Sequence, residues 1–204
     1  MNPCTYWMQN CEQWLKQNNG PWQKQIPFFA RALHSAIVKN NIDRVIEYGA
    51  GDGRNLLAIK SVIGGVRLYG IDCNQTAVEC MKERGIFAWK DDVLRIPITP
   101  RGEDAGFDIV LTKGFLMHVP PEDLEFVYRK IYNASWKYIL LCEYYSPTPE
   151  EIPFCGERGI LWRRDFAGDM MRIFPDLQLI DYGFAYHRDE AVEQNDITWF
   201  LLQK

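Results

Sequence analysis

Short runs of consecutive apolar residues alternate along this chain with stretches whose apolar residues return every three or four positions. From residue 44 the order is RVIEYG, GRNLLAIKSVIGG, VRLYGID, NQTAVECMKERG, IFAWKDDV, FDIVLT, PPEDLEFVYRKIYNAS and KYILLCEYY. The runs rich in Val, Ile and Leu predict strands buried on both sides, and the amphipathic stretches predict the helices that cover them. An α/β fold on a mostly parallel sheet follows. Helix starts are marked by Asn74, placed to cap, and by Pro120 and Pro121 followed by Glu122 and Asp123. Ahead of the alternation, residues 4–40 predict two helices split by the breaker NNGP at 18–21, the second over IPFFARALHSAIVKN, so that residues 1–40 form an N-terminal helical cap. Beyond residue 143, YYSPTPEEIPFCGERGILW predicts a long loop with three prolines, followed by a helix around RRDFAGDMMRIF. Two closing strands, LQLIDYGFAYHRD and DITWFLLQK, are joined by the polar EAVEQN and are expected to pair antiparallel.

Composition narrows the class. A chain of 204 residues with 47% apolar, 14% aromatic and 25% charged side chains suits one folded domain over 1–204. A formal charge of −4 without a Lys/Arg run argues against a nucleic-acid partner. No stretch approaches the roughly 20 apolar residues of a membrane span, and MNPCTYWMQNCEQW does not have the pattern of a signal peptide. Six cysteines without a CxxC pair predict free thiols and a cytoplasmic, reducing location, and three isolated histidines predict no metal. Oligomeric state is not legible.

The chemistry starts at VIEYGAGDGRN, residues 45–55, where a strand breaks into Gly49, Gly51 and Gly53 before a helix. Such a turn at a strand end is where open parallel sheets bind ligands. Its spacing is GxGxG, unlike the dinucleotide GxGxxG or the phosphate loop. A pyrophosphate here would face Asp52, at a cost on the order of 4 kcal/mol for like charges about 4 Å apart. Glu47 and Asp52 would instead favour the cationic end of a zwitterion, whose carboxylate the helix-start amides could bind. Asp72 ends the next strand 21 residues after Gly51, the placement that reads ribose hydroxyls. An amino acid joined to a nucleoside is S-adenosylmethionine. In AWKDDVLRIP, one of the adjacent Asp91 and Asp92 can face the adenine, and Asp92 is preferred because the apolar Val93 follows it.

With these pieces in register, EYGAGDG, GID and DDVLRIP resemble the first three motifs of class I S-adenosylmethionine-dependent methyltransferases, over roughly residues 40–204. The resemblance implies a Rossmann-like core at 41–204, with a seven-stranded sheet, helices on both faces and an antiparallel last hairpin. It implies that Gly49, Ala50 and Gly51 cradle the methionine moiety, Asp72 takes the ribose, and Asp92 with Val93 takes the adenine. Glu47 and Thr112 complete the cofactor candidates. Further along, LTKGFLMHV, CEYYSPTPEEIP, RRDFAGDM, DYGFAYHRD and DITWFLLQK resemble the methyltransferase-like proteins named after pseudaminic acid biosynthesis, found beside genes for sialic-acid-like sugars.

The methyl acceptor should meet side chains at the later strand ends. His118 and Glu143 are the candidate bases, and Lys113 the candidate partner of an anionic substrate. Tyr144, Tyr145, Arg164 and His187 are candidate substrate contacts, and Trp7, Trp14 and Trp22 stand where an aromatic cap over the cofactor could form. The expected activity is methylation of an oxygen or nitrogen of a small polar metabolite, and the second resemblance implies a sialic-acid-like sugar or its nucleotide derivative. Methylation of a carboxylate or phosphonate, or cofactor binding without catalysis, are the alternatives.

Overall fold

In the computed structural model, which describes residues 3–17, 20–91, 106–192 and 195–204, the apolar runs become the strands of a seven-stranded sheet. In chain order the elements are α1 (Pro3–Gln17), α2 (Ile26–Ala32), α3 (His34–Lys39), β1 (Arg44–Tyr48), α4 (Arg54–Ile63), β2 (Arg67–Asp72), α5 (Gln75–Glu83) and β3 (Phe87–Lys90). They continue with β4 (Phe107–Lys113), α6 (Leu124–Ala134), β5 (Ser135–Glu143), β6 (Glu150–Phe154), β7 (Glu157–Arg163), α7 (Phe166–Ile173), β8 (Gln178–Ala185) and β9 (Ile197–Gln203). The sheet order is β3-β2-β1-β4-β5-β9-β8. Strands β1 to β5 run parallel, and β9 inserts antiparallel to both β5 and β8, as expected for the closing hairpin.

Strand alternation sorts the core into two layers. Val45, Ile109, Leu111, Tyr138 and Leu140 pack on one face with Phe28, Phe29, Leu56, Ile59 and Val78 from α2, α4 and α5. Ile46, Val110, Ile139 and Leu141 pack on the other with Val127, Ile131, Phe166 and Met170 from α6 and α7. The caps follow the residue chemistry: the Asn74 side chain accepts the Ala77 amide at 3.2 Å, and Asp165 accepts that of Gly168 at 2.8 Å.

Two expectations are corrected here. The helix expected over 26–40 is bent in two at Leu33, whose φ of −104° and ψ of 0° leave the helical range as its fully buried side chain turns into the core. The loop expected after residue 143 contains a two-stranded antiparallel hairpin, β6 with β7. Its turn, Cys155-Gly156, has φ of 52° and 84°, and positive φ at both central residues is the geometry that matches strand twist. Proline content hid the hairpin, because Pro153 is tolerated in a sheet with only two strands, both of them edges.

The chain steps from β1 toward β3 on one side and resumes with β4 on the other side of β1. The crevice at the carboxyl ends of β1 and β4 is therefore the switch point of the sheet, where such folds hold their ligands.

Candidate active site

A cleft of about 930 Å³, counting the part open to solvent, lies at this switch point. Gly49, Gly51 and Asp72 line one side, and Lys113, Phe115 and His118 line another. Helix α1 roofs it. Cys4, Trp7, Cys11 and Trp14 recur at spacings of three, four and three, so they share one helix face, and all four line the cleft.

The glycine turn is shaped by its backbone. Gly49, Gly51 and Gly53 all have positive φ (70°, 54° and 77°), and the amides of Gly49 and Ala50 both donate to the Ile71 carbonyl, at 2.9 and 3.0 Å. A side chain at Gly49 would bring a Cβ to 2.6 Å from the Phe115 ring. Asp72 stitches the turn to β2: one carboxylate oxygen accepts the Gly51 amide and the other that of Asn74, each at 2.9 Å. Burial raises its pKa, and the amides of Asn74, Gly51 and Cys73 counter the rise. Each oxygen keeps a lone pair for a hydroxyl.

Glu47 is fully buried beneath the turn, with Oε1 accepting from Asn55 Nδ2 at 2.7 Å and Oε2 lacking any partner among the described residues. Burial pushes its pKa up to about 8 against the pull of Asn55 and Lys113, so the side chain is protonated at neutral pH. The negative charge assigned to Glu47 from sequence is thus latent. That assigned to Asp52 is already spoken for: its carboxylate pairs with Arg54 Nε at 2.9 Å and Arg84 Nη1 at 2.8 Å. Burial works against this carboxyl, yet the two guanidiniums hold it below its ordinary range. The charge case against a phosphate here falls, and the glycine spacing carries that conclusion alone.

Lys113 shares its sheet face with Glu47. The residue lines the cleft, its ammonium sits 5.6 Å from the centre of the Phe28 ring, and burial lowers its pKa, an effect opposed by Cys142, Glu47 and Glu143 nearby. His118 is buried between Trp7 and Phe154, whose ring centres lie 5.0 and 5.3 Å away. Its Nδ1 is 2.7 Å from the Ile160 carbonyl of β7. A carbonyl only accepts, so the proton is on Nδ1 and Nε2 carries a lone pair. Burial lowers the pKa to about 4, opposed by the Ile160 bond. His118 is therefore a permanently neutral acceptor, in place of the near-neutral base expected from sequence.

Glu143 is corrected as a base. It points to the opposite sheet face from Lys113, where Oε1 accepts the amides of Phe115 (3.2 Å) and Leu116 (3.1 Å) and Oε2 that of Met117 (3.3 Å). Burial pushes it up to about 7 against those bonds. Its role is to hold the turn that presents Phe115 and His118. Thr112 is fully buried beside it and does not line the cleft.

The remaining candidates fall outside the cleft. Tyr144 packs at the core edge under Arg163, and Tyr145 is exposed beside Phe200. Arg164 is paired with Asp169 at 2.7 Å, and the exposed His187 ring with Asp196 at 2.9 Å. Asp92 and Val93 lie outside the described residues. Among the described residues Asp91 lines the cleft, and its amide donates to the Asp72 carbonyl at 3.0 Å. Cleft residues not assigned from sequence include Cys4, Cys11, Cys73 and Phe115. The 4-7-11-14 spacing was the available signal for the first two. Among the described residues no cluster suits a metal ion, and no helix is long and apolar enough to cross a membrane.

Residues 45–135 match the family model of the methyltransferase domain. That segment holds the glycine turn, Asp72, Lys113 and His118. The chain is also similar in fold to 1,6-didemethyltoxoflavin-N1-methyltransferase of Burkholderia thailandensis, solved with 1,6-didemethyltoxoflavin and S-adenosylhomocysteine, at 13% identity, a TM-score of 0.72, and coverage of 98% of this chain and 86% of that one. Magnesium protoporphyrin IX methyltransferase from Synechocystis PCC 6803, with bound S-adenosylhomocysteine, gives 14% identity and a TM-score of 0.63 over 89% and 83% of the two chains. DhpI in its S-adenosylhomocysteine complex gives 13%, 0.64, and 98% and 94%. Curated protein sequences give no match. Identities this low speak for the fold, which is that of S-adenosylmethionine-dependent methyltransferases. Domain match and fold together support an enzyme of this class.

The cleft's own residues fit that cofactor. The Asp72 carboxylate, which lines the cleft, has acceptor capacity left for two hydroxyls, while Glu47 is fully buried behind the turn, does not itself line the cleft and keeps Oε2 unpartnered among the described residues.

Proposed function

We propose that the protein transfers a methyl group from S-adenosylmethionine to an oxygen or nitrogen of a small polar metabolite. The carrying observation is that the glycine turn with Asp72 and the pair Lys113 and His118 line one cleft roofed by α1. Bound there, the cofactor supplies an electrophilic methyl group on a sulfonium. Glu47, Asp72 and the turn orient it, α1 excludes water, and His118 Nε2 accepts a hydrogen bond from the acceptor's hydroxyl or amine. Positioning supplies most of the rate, since a methyl displacement needs in-line geometry above all. Lys113 selects an acceptor with an anionic group. A sialic-acid-like sugar or its nucleotide derivative carries both features, which agrees with the resemblance of the downstream motifs. Cytoplasmic location is in keeping with six free cysteines.

One observation favours a second reading. Among the described residues lining the cleft, His118 is the single histidine and is held near a pKa of 4. An acceptor that is already anionic, a carboxylate or phosphonate, needs no base and would pair with Lys113 directly. Incubation with labelled S-adenosylmethionine and a panel of amino sugars, sugar nucleotides, carboxylates and phosphonates tests both. Labelling of a neutral hydroxyl compound supports the first reading and of an acid the second. Labelling of none, in protein that binds S-adenosylhomocysteine, would point to a cofactor-binding module without catalysis.

A further inference from the structure

Half of the cysteines in the chain, Cys4, Cys11 and Cys73, line the same cleft. Cys4 and Cys11 come from the roof helix, and Cys73 follows Asp72 at the end of β2. The Cys4 and Cys73 thiols are hydrogen-bonded to each other, and Cys11 also lies within electrostatic reach of Cys73. A second tie joins the same two elements: Asn74 Nδ2 donates to the Met8 carbonyl at 3.3 Å. The roof is thus fastened to the strand end beside Asp72 through a pair of thiols 69 positions apart.

We propose that Cys4 and Cys73 are a thiol modification site, oxidised by a low-molecular-weight disulfide to a cross-link that locks helix α1 over the cleft. Cys4 is the attacking group. It stands in the first turn of a 15-residue helix, where the helix dipole favours a thiolate. Cys73 is the resolving thiol: in the reduced protein the Cys4 hydrogen bond and burial suppress its acidity, and the first of these is removed once the Cys4 sulfur is in the mixed disulfide. The Cys4 thiolate attacks one sulfur of the small disulfide, and the other sulfur leaves and takes up the proton that Cys4 lost. Cys73 then attacks the Cys4 sulfur of the mixed disulfide, and a second small thiol departs with the Cys73 proton. Two protein thiols become one disulfide, and one small disulfide becomes two thiols.

The consequence for ligand exchange rests on the cofactor reading of the cleft. With α1 free, ligand enters and leaves by displacing the helix. With α1 tied to the residue next to Asp72, that route closes, and a bound ligand is held.

The test uses the full chain loaded with labelled S-adenosylhomocysteine, then treated with glutathione disulfide. Digestion under non-reducing conditions and mass spectrometry should find a peptide linking Cys4 to Cys73. Release of the label should slow roughly tenfold or more and recover with dithiothreitol. Cys4→Ser and Cys73→Ser should each abolish the linked peptide and the slowing, while Cys80→Ser, on a cysteine outside the cleft, should not. Absence of the linked peptide, or its presence with an unchanged release rate, overturns the proposal. Calorimetry of the reduced protein with S-adenosylhomocysteine judges the cofactor reading separately, and the linked peptide can be sought whatever its result.

Discussion

At the scale of single residues, burial decides what each polar group can do. His118 and Glu143 both looked like bases from sequence, because a histidine and a glutamate at strand ends ordinarily titrate within reach of neutrality. The structure gives His118 one fixed proton, on Nδ1 toward Ile160, and gives Glu143 three amides to hold. With its pKa depressed to about 4, His118 stays neutral through the whole working range. His118→Gln should therefore lower kcat by roughly tenfold through lost positioning, well short of the 10²–10⁴ typical of a general base. The midpoints of the pH–rate profile should not move, and a shift of a midpoint near pH 6.5 on this substitution would return His118 to the role of base. Glu143→Ala should act on stability instead. Three amides, that of Leu116 buried and those of Phe115 and Met117 partly so, would lose their acceptor, a loss of about 3 kcal/mol, visible as a drop in thermal midpoint.

At the scale of elements, the roof helix and the hairpin β6–β7 act together on the cleft. Trp7 of α1 and Phe154 of β6 contact each other at 6.0 Å between ring centres, and both flank His118. The hairpin also supplies the Ile160 carbonyl that sets the His118 tautomer. Trp7→Ala should weaken S-adenosylhomocysteine binding by roughly tenfold by loosening the roof, as measured by calorimetry, with little change in thermal midpoint because the helix packs on the rim of the fold. Gly156→Ala probes the hairpin alone. Space is open around it, so the penalty comes from its φ of 84° and should be about 1 kcal/mol. This long post-strand segment reads as a loop in sequence because its prolines and glycines break the two-residue alternation, and pairing with a partner strand is visible only once both strands are placed.

At the scale of the whole molecule, burying acids on the inner faces of the sheet makes stability depend on pH. Glu47 and Glu143 are raised by burial to about 8 and about 7. From their unfolded pKa near 4.3 up to those values, the unfolded chain is ionised and the folded one keeps the proton, so stability falls as pH rises. His118 works in the opposite sense. Its folded pKa lies near 4, so stability rises with pH until the unfolded histidine loses its proton near 6.5. The two acids outnumber it, and above about pH 6.5 His118 no longer opposes them. Each contributes up to about 1.4 kcal/mol per pH unit. Thermal melts should show a lower midpoint at about pH 8 than at about pH 6, and Glu47→Gln should flatten the difference. Equal midpoints in the parent protein would mean that Glu47 is ionised in its buried place.

Local pattern determined the strands, most helices, the closing hairpin and the turn with Asp72. Apolar runs, helical spacing and glycines act over distances of a few residues, so they are written where they act. Lys113 and His118 were legible because they follow a predicted strand end. The rest depended on neighbours distant in the chain. Arg84 neutralises Asp52 from 32 positions away, Glu143 turns to amides of residues 115–117, and Arg164 and His187 find Asp169 and Asp196 in place of a substrate. Charges and lone pairs report what a residue can do, and which partner reaches them first is fixed only when the chain has folded.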